Sequence, residues 1–274
     1  MKIYTLIEDS KQKSGFLAEH GLSLYFEYSG KRILFDTGAS DAFVYNATLL
    51  GIDLNKVDIC VISHAHDDHI GGLEAFLGIN SQAKVYLKTA VRGDFYAKRV
   101  GKNERSGLDP AFFDKYADRM HFFDGRIDLT DGVSAASIKK FHRLPLYASL
   151  MLEKKDGEFI ADTLDHELYV AIKTKGGVVV LTGCAHHGVL NILMSAKEEF
   201  GTIAGVAGGF HLSGSGKHGF KKEPESEIYA IAKYFENNKI KKVYTGHCTG
   251  QKPLEKLSLL SRVQKMNAGD IIEI

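Results

Sequence analysis

Short runs in which apolar and polar residues alternate recur along the chain: Lys2 to Ile7, Leu22 to Phe35 with a break at Ser29-Gly30, Val57 to Ile62 and Lys84 to Lys88. Side chains of an extended chain point to alternate faces, so each run predicts a strand. A second set follows, Leu168 to Lys173, Val178 to Leu181, Ile203 to Val206, Lys242 to Tyr244 and Asp270 to Ile274, rich in the Val, Ile and Tyr that suit a pleated surface. Between these runs, Gly71 to Leu77, Val189 to Phe200 and Glu225 to Asn237 carry apolar residues at helical spacing, the last opened by Pro224 at a position suited to a first turn. Strands mixed with helices throughout predict a layered α/β architecture. The two strand-rich sets are separated by a stretch of about 90–165 that contains the charged segment Ala97 to Arg105 and little periodicity. It reads as an inserted lid within a single domain spanning 1–274.

Hydrophobic residues make up 44% and charged residues 25%, values of a folded globular chain that exclude the disordered and low-complexity classes. The 35 Lys+Arg against 34 Asp+Glu leave no global field to hold a polyanion or an acidic membrane surface, so nucleic acid is not an expected partner. Glu8 and Asp9 within the first ten residues do not fit a secretory signal, and no run of about 18 apolar residues predicts a membrane span. The cytoplasm is the default expectation. Cys60, Cys184 and Cys248 are odd in number and widely spaced, without a CxxC pair, so each is either a small core residue or a lone ligand.

Seven histidines, His64, His66, His69, His186, His187, His211 and His247, follow apolar runs in glycine-rich turns. Such turns are strand ends, where loops carry function on a rigid scaffold. The densest cluster is Ser63-His64-Ala65-His66-Asp67-Asp68-His69. His64 and His66, two apart at the end of an extended run, point the same way and can bind one cation. Asp68 and His69 continue into a helix start and can face a second. Imidazole and carboxylate together suit zinc, with iron or manganese as alternatives, so two divalent ions are the expected cofactors. Four further segments end strands in the same manner: Phe35-Asp36-Thr37-Gly38, Thr182-Gly183-Cys184-Ala185-His186-His187, Gly208-Gly209-Phe210-His211 and Gly246-His247-Cys248.

On these motifs the chain resembles the metallo-β-lactamase superfamily, over nearly its whole length. The resemblance implies a four-layer αβ/βα sandwich of two mixed β-sheets with metals at the edge between them. It implies that His64 and His66 bind one metal and Asp68, His69 and His247 the other, with Asp36 orienting a ligand imidazole. Cys184 stands where most hydrolases of the group have a bridging aspartate, and a thiolate ligand there softens the site. The usual further histidine of the first metal, in a Gly-His turn, is missing. His142 and His166 are the candidates to replace it, and His166 is favoured because Asp165-His166-Glu167 directly precedes a predicted strand.

The Gly-Cys-Ala-His, Gly-Gly-Phe-His-Leu and Gly-His-Cys-Thr-Gly segments resemble a subgroup of metal-dependent hydrolases that includes dihydropterin-methyl-ribofuranosylaminobenzene phosphate synthases. His186 and His211 are peculiar to that subgroup and, with Asp68, are the catalytic candidates, for acid/base work or for gripping a substrate phosphate. The expected activity is hydrolysis of a small phosphorylated or ester substrate by metal-activated water. The alternative is a synthase-type transferase acting on a pterin or ribosyl phosphate. Lys98, Arg99, Lys102 and Arg105, and also Lys217, Lys221 and Lys222, are available to an anionic small molecule or are merely solvated. A nuclease, a diiron reductase and a non-catalytic metal-binding module are weaker readings, and β-lactam cleavage does not follow from fold alone.

Overall fold

The computed structural model describes residues 1–11, 13–213 and 222–274. The first sheet has seven strands in the order β18-β1-β2-β3-β4-β5-β8. They are β1 (Lys2–Ile7), β2 (Ser23–Tyr28), β3 (Lys31–Phe35), β4 (Ile59–Val61), β5 (Lys84–Lys88), β8 (Met120–Phe123) and β18 (Ile271–Glu273). The second, ordered β17-β16-β15-β14-β13-β10-β9, contains β9 (Arg126–Thr130), β10 (Val133–Ser137), β13 (Leu168–Thr174), β14 (Gly177–Thr182), β15 (Ile203–Gly209), β16 (Lys242–Gly246) and β17 (Gln264–Lys265). Both sheets mix parallel and antiparallel pairs.

Alternation along the strands explains the layers. Ile33 and Phe35 of β3, and Leu168, Val170 and Ile172 of β13, join one core between the sheets. Leu34 instead faces a core shared with the helices α1 (Ala42–Leu49), α2 (Asp67–Ile70) and α3 (Leu73–Ile79). Tyr169 and Ala171 face a third core with α5 (Val189–Phe200), α6 (Glu225–Asn237) and α7 (Gln251–Ser261). Strands covered on both faces read as apolar runs, and a one-residue slip would exchange their cores. The result is the expected αβ/βα sandwich. Cys60 is a fully buried residue of the α1–α3 core, far from any ligand role.

Within 90–165, three strands, β8, β9 and β10, belong to the large sheets. The remainder includes a short helix α4 (Ala111–Lys115) and a separate four-stranded sheet, β12-β11-β6-β7, built from β6 (Phe95–Arg99), β7 (Lys102–Arg105), β11 (Met151–Lys155) and β12 (Glu158–Ala161). This small sheet is tied to the histidine motif, because Asp67 N donates to Ser106 O at 2.7 Å and His66 pairs with Gly107. Among the described residues no helix is long and apolar enough to cross a membrane.

Candidate metal centre

The ends of β3, β4, β14, β15 and β16 meet at one edge of the sandwich. Asp36, left-handed at φ 60° just beyond β3, is fully buried and accepts from Ser63 N and Ser63 Oγ, both at 2.6 Å, and from His69 Nδ1 at 2.7 Å. One carboxylate thereby fixes the start of the His64–His69 turn and the orientation of a ligand imidazole, the role the resemblance gave it. Close approach of the two halves depends on Gly183. A Cβ there would lie 2.1 Å from Ser63 Oγ and 2.9 Å from His64 Nδ1.

Four donor atoms form the first cluster. His69 Nε2 lies 3.1 Å from both Cys184 Sγ and His247 Nε2, Cys184 Sγ lies 3.2 Å from His247 Nε2, and Asp68 Oδ2 lies 3.1 and 3.7 Å from His247 Nε2 and His69 Nε2. A tetrahedral ion with bonds of about 2.0–2.3 Å sets its ligands about 3.3–3.8 Å apart. The chemistry of the set is equally specific. His69 Nδ1 donates to Asp36 and His247 Nδ1 donates to Asp9 Oδ1 at 2.6 Å, so both Nε2 atoms are turned towards the cluster; burial opposes a charge on His247, but Cys248, Asp68 and Asp9 around it hold its pKa well above the ordinary histidine value. The proton that the carboxylates favour on His247 is positive charge held among these four donors, and a metal cation would take its place. The residues fit a metal ion.

The second cluster contains only histidines. His186 Nε2 lies 2.8 Å from His66 Nδ1 and 3.3 Å from His64 Nε2, while His64 Nδ1 is engaged at 2.8 Å by Ser63 Oγ, whose own proton goes to Asp36. Burial, reinforced by the neighbouring imidazoles, holds His64 and His186 well below the ordinary histidine range and takes His66 down to about 3. Rings kept neutral in this way are in the form that binds metal. Asp68 is ionised: burial opposes its charge, but His69 and His247 hold its pKa well below the usual carboxylate range.

It is His186 that the structure brings to His64 and His66, whereas His166, the residue expected there, is engaged elsewhere. His166 is buried, but its Nδ1 accepts from Ala65 N at 3.2 Å and its Nε2 donates to Asp162 Oδ2 at 2.9 Å, which uses both ring nitrogens. His142 pairs with Glu227 at 3.1 Å, away from the clusters. His187 also turns away, bonding Glu167 Oε2 at 2.8 Å. His211 reaches the site, its ring 4.4 Å from that of His186, and neither of its nitrogens has a hydrogen-bond partner.

Several site residues escaped the reading of the sequence. Asp9, just after β1, bridges His247 and His20, whose Nδ1 lies 2.8 Å from Asp9 Oδ2. Burial works against the Asp9 charge, yet bonds from His20 and His247 hold its pKa below the usual range. Glu8 accepts from the His247 backbone N–H, and a Cβ at Gly246 would strike the same carboxylate. Glu167 accepts from the backbone of His186 and His187 at 2.6 and 2.8 Å and so pins their turn. A signal was present: Glu8-Asp9 directly follows an apolar run, as Asp36 does.

A cavity of about 380 Å³ opens over the clusters, walled by His20, Asp68, His211 and His247 and, from the small sheet, by Arg99. Of the four basic residues expected in the inserted stretch, Arg99 is the one on this wall. Lys102 pairs with Glu104 at 3.2 Å and Arg105 with Asp94 at 3.0 Å. Lys222 is exposed, and Lys217 and Lys221 lie outside the described residues.

A two-sheet αβ/βα sandwich carrying histidine clusters at the sheet edge defines a class, and the chain belongs to it. It is a member of the metallo-beta-lactamase superfamily, whose model matches residues 18–247. The 7,8-dihydropterin-6-methyl-4-(beta-D-ribofuranosyl)-aminobenzene-5'-phosphate synthase of Methanocaldococcus jannaschii is 28% identical, the match covering 100% of this chain and 96% of that protein. Among solved structures, the metal-dependent hydrolase Tm1679 of the beta-lactamase superfamily is similar at a TM-score of 0.84 and 29% identity, over 100% of this chain and 99% of that one. A diphosphatase of the PhnP family shares the fold at a TM-score of 0.55 and 16% identity, over 100% and 97%.

Proposed function

We propose that this protein is a metal-dependent hydrolase that holds two divalent ions, zinc in both positions, and cleaves a small phosphorylated or ester substrate. The observation that carries the reading is the first cluster, in which Asp68 Oδ2, His69 Nε2, Cys184 Sγ and His247 Nε2 converge within 4.8 Å of one another. Those four residues would hold one ion, and His64, His66 and His186 the other. Bound there, the ions lower the pKa of water towards neutrality and stabilise negative charge developing on the substrate.

The chain's own residues do the rest. Asp36 and Asp9 fix the tautomers of His69 and His247, and Glu167 sets the turn that presents His186. This reading moves His186 from acid/base candidate to ligand. His211, with both nitrogens unpartnered on the cavity wall, is placed to give a proton to the leaving group, a role worth about 10²–10⁴ in rate. Arg99, paired with Glu104 at 3.1 Å, reaches the same cavity, whose volume suits a small molecule.

The test is metal content by mass spectrometry on protein purified anaerobically without a metal-affinity tag, followed by a phosphoester screen. About two ions per chain, with hydrolysis lost on chelation and restored by zinc, is the expected result. Hydrolysis that persists after removal of all metal would overturn it. A second reading, a synthase-type transferase in which a carbon or amine nucleophile replaces water, is favoured by the full-length similarity to the M. jannaschii synthase. Turnover that requires an added pterin, with no hydrolysis in its absence, would select it.

A further inference from the structure

A third set of donors, rich in sulfur, adjoins the two clusters. Cys248 follows His247 in the 3-10 turn His247–Thr249, and its Sγ turns back to 3.4 Å from the Cys184 carbonyl oxygen. The sulfurs of Cys184 and Cys248 and a ring nitrogen of His211 all lie within 4.8 Å of one another. His211 is only 7% exposed and left-handed at φ 49°, a backbone state that a β-carbon disfavours, and its ring is aimed into this group with neither nitrogen hydrogen-bonded. Gly209 leaves room for the arrangement, because a Cβ there would lie 2.6 Å from the Cys248 sulfur. The Tyr147 ring packs 4.4 Å from that of His211, and all three donor residues reach the cavity wall.

Neither proposed ion uses Cys248, and neither leaves a partner for His211. Two thiols and an imidazole are a soft set that selects thiophilic ions over calcium or magnesium. We propose that Cys184, His211 and Cys248 bind a third, thiophilic divalent cation, with the Cys184 sulfur bridging it to the ion held by Asp68, His69 and His247. On binding, Cys248 forms a sulfur–metal bond and releases its proton to solvent, and no electron is transferred. Filling this site engages His211, so on the function proposed above the third ion is inhibitory; its binding does not depend on that function.

The experiment uses cadmium alone as the probe, dialysed against the full chain under reducing, anaerobic conditions. Ions per chain are counted by mass spectrometry, and thiolate-to-cadmium absorption is read in the ultraviolet. Wild type is expected to hold about three ions and Cys248→Ser about two, with the absorption falling to about a third as thiolate–metal bonds drop from two at Cys184 and one at Cys248 to one in all. His211→Gln is expected to lose one ion as well, a loss that a merely structural cysteine would not produce. Cys248→Ala replaces the serine variant if a buried hydroxyl prevents folding, with far-ultraviolet circular dichroism as the check. Equal ion counts and equal absorption in wild type and both variants would overturn the proposal. His66→Ala separates the two readings: loss of an ion there with none lost in Cys248→Ser removes the third site alone, and the reverse pattern removes the dinuclear reading alone.

Discussion

The first sheet supplies His64, His66, Asp68 and His69 from one continuous segment, the turn after β4 and the start of α2, whereas the second supplies Cys184, His186, His211 and His247 from the ends of β14, β15 and β16. In the first half the spacing is local, set by one turn whose entry is held by Asp36. In the second it is set by strand pairing, through the registers Thr182 to Gly208 and Gly209 to Gly246. The halves touch where Leu168 N donates to Ser63 O at 2.8 Å and where Gly183 passes Ser63. A locally built half-site tolerates change elsewhere in the chain, while one assembled from three strands inherits every error of register.

Several substitutions break or sharpen this contrast. The largest effect is expected from His66→Ala, which removes a donor facing both His64 and His186. Hydrolysis should fall by about 10³-fold or more while circular dichroism stays near wild type, since the fold does not rest on this ring. Gly183→Ala acts on the seam between the halves. The added Cβ meets Ser63 Oγ and His64, and overpacking of this kind costs about 1–3 kcal/mol, read as a lower midpoint in urea.

Comparing Asp36→Asn with Asp9→Asn tests the orienting carboxylate of each half. Each is expected to weaken metal affinity about 10–100-fold in chelator competition, with Asp36 at the upper end because it also holds Ser63. Acid weakens the two halves together. His64, His66 and His186 have folded pKa values below the ordinary 6.5, so the unfolded chain binds more protons as pH falls through that value. Stability is complete above about pH 6.5 and declines as pH drops towards about 3, checked by urea unfolding at a series of pH values. The smallest effect on the site is expected from His166→Ala, which leaves the ion count unchanged and costs about 1–3 kcal/mol from the bonds lost to Asp162 and Ala65.

The same contrast explains what was legible in the sequence. Lys2–Ile7 and Lys84–Lys88 are strands with the bounds their alternation predicts, and Val189–Phe200 and Glu225–Asn237 are the predicted helices. The His64–His69 motif could be read directly because its geometry is local. Asp36, Cys184 and His247 could be found because each ends an apolar run. His186 was picked out, but its place beside His64 and His66 was not, since only the pairing of β13 and β14 brings its turn to His64 while Asp162 claims His166. Asp9 was missed because its partner His247 is 238 residues away, a distance closed by the fold alone. The small sheet was missed because its outer strands, Lys102–Arg105 and Glu158–Ala161, are exposed on both faces and carry no pattern, while the inner strands β6 and β11 bury residues only at one end.

That long span between Asp9 and His247 has a consequence for the order in which the molecule is made. Asp9 is synthesised 238 residues before the donor it steadies, and its bond to His247 waits until β16 has docked and the 3-10 turn has formed. Contacts of such sequence separation close late, after loop entropy has been overcome. A chain synthesised only as far as β15 therefore has the His64–His69 segment and Cys184 but not His247, and the four-residue cluster assembles only once β16 has docked.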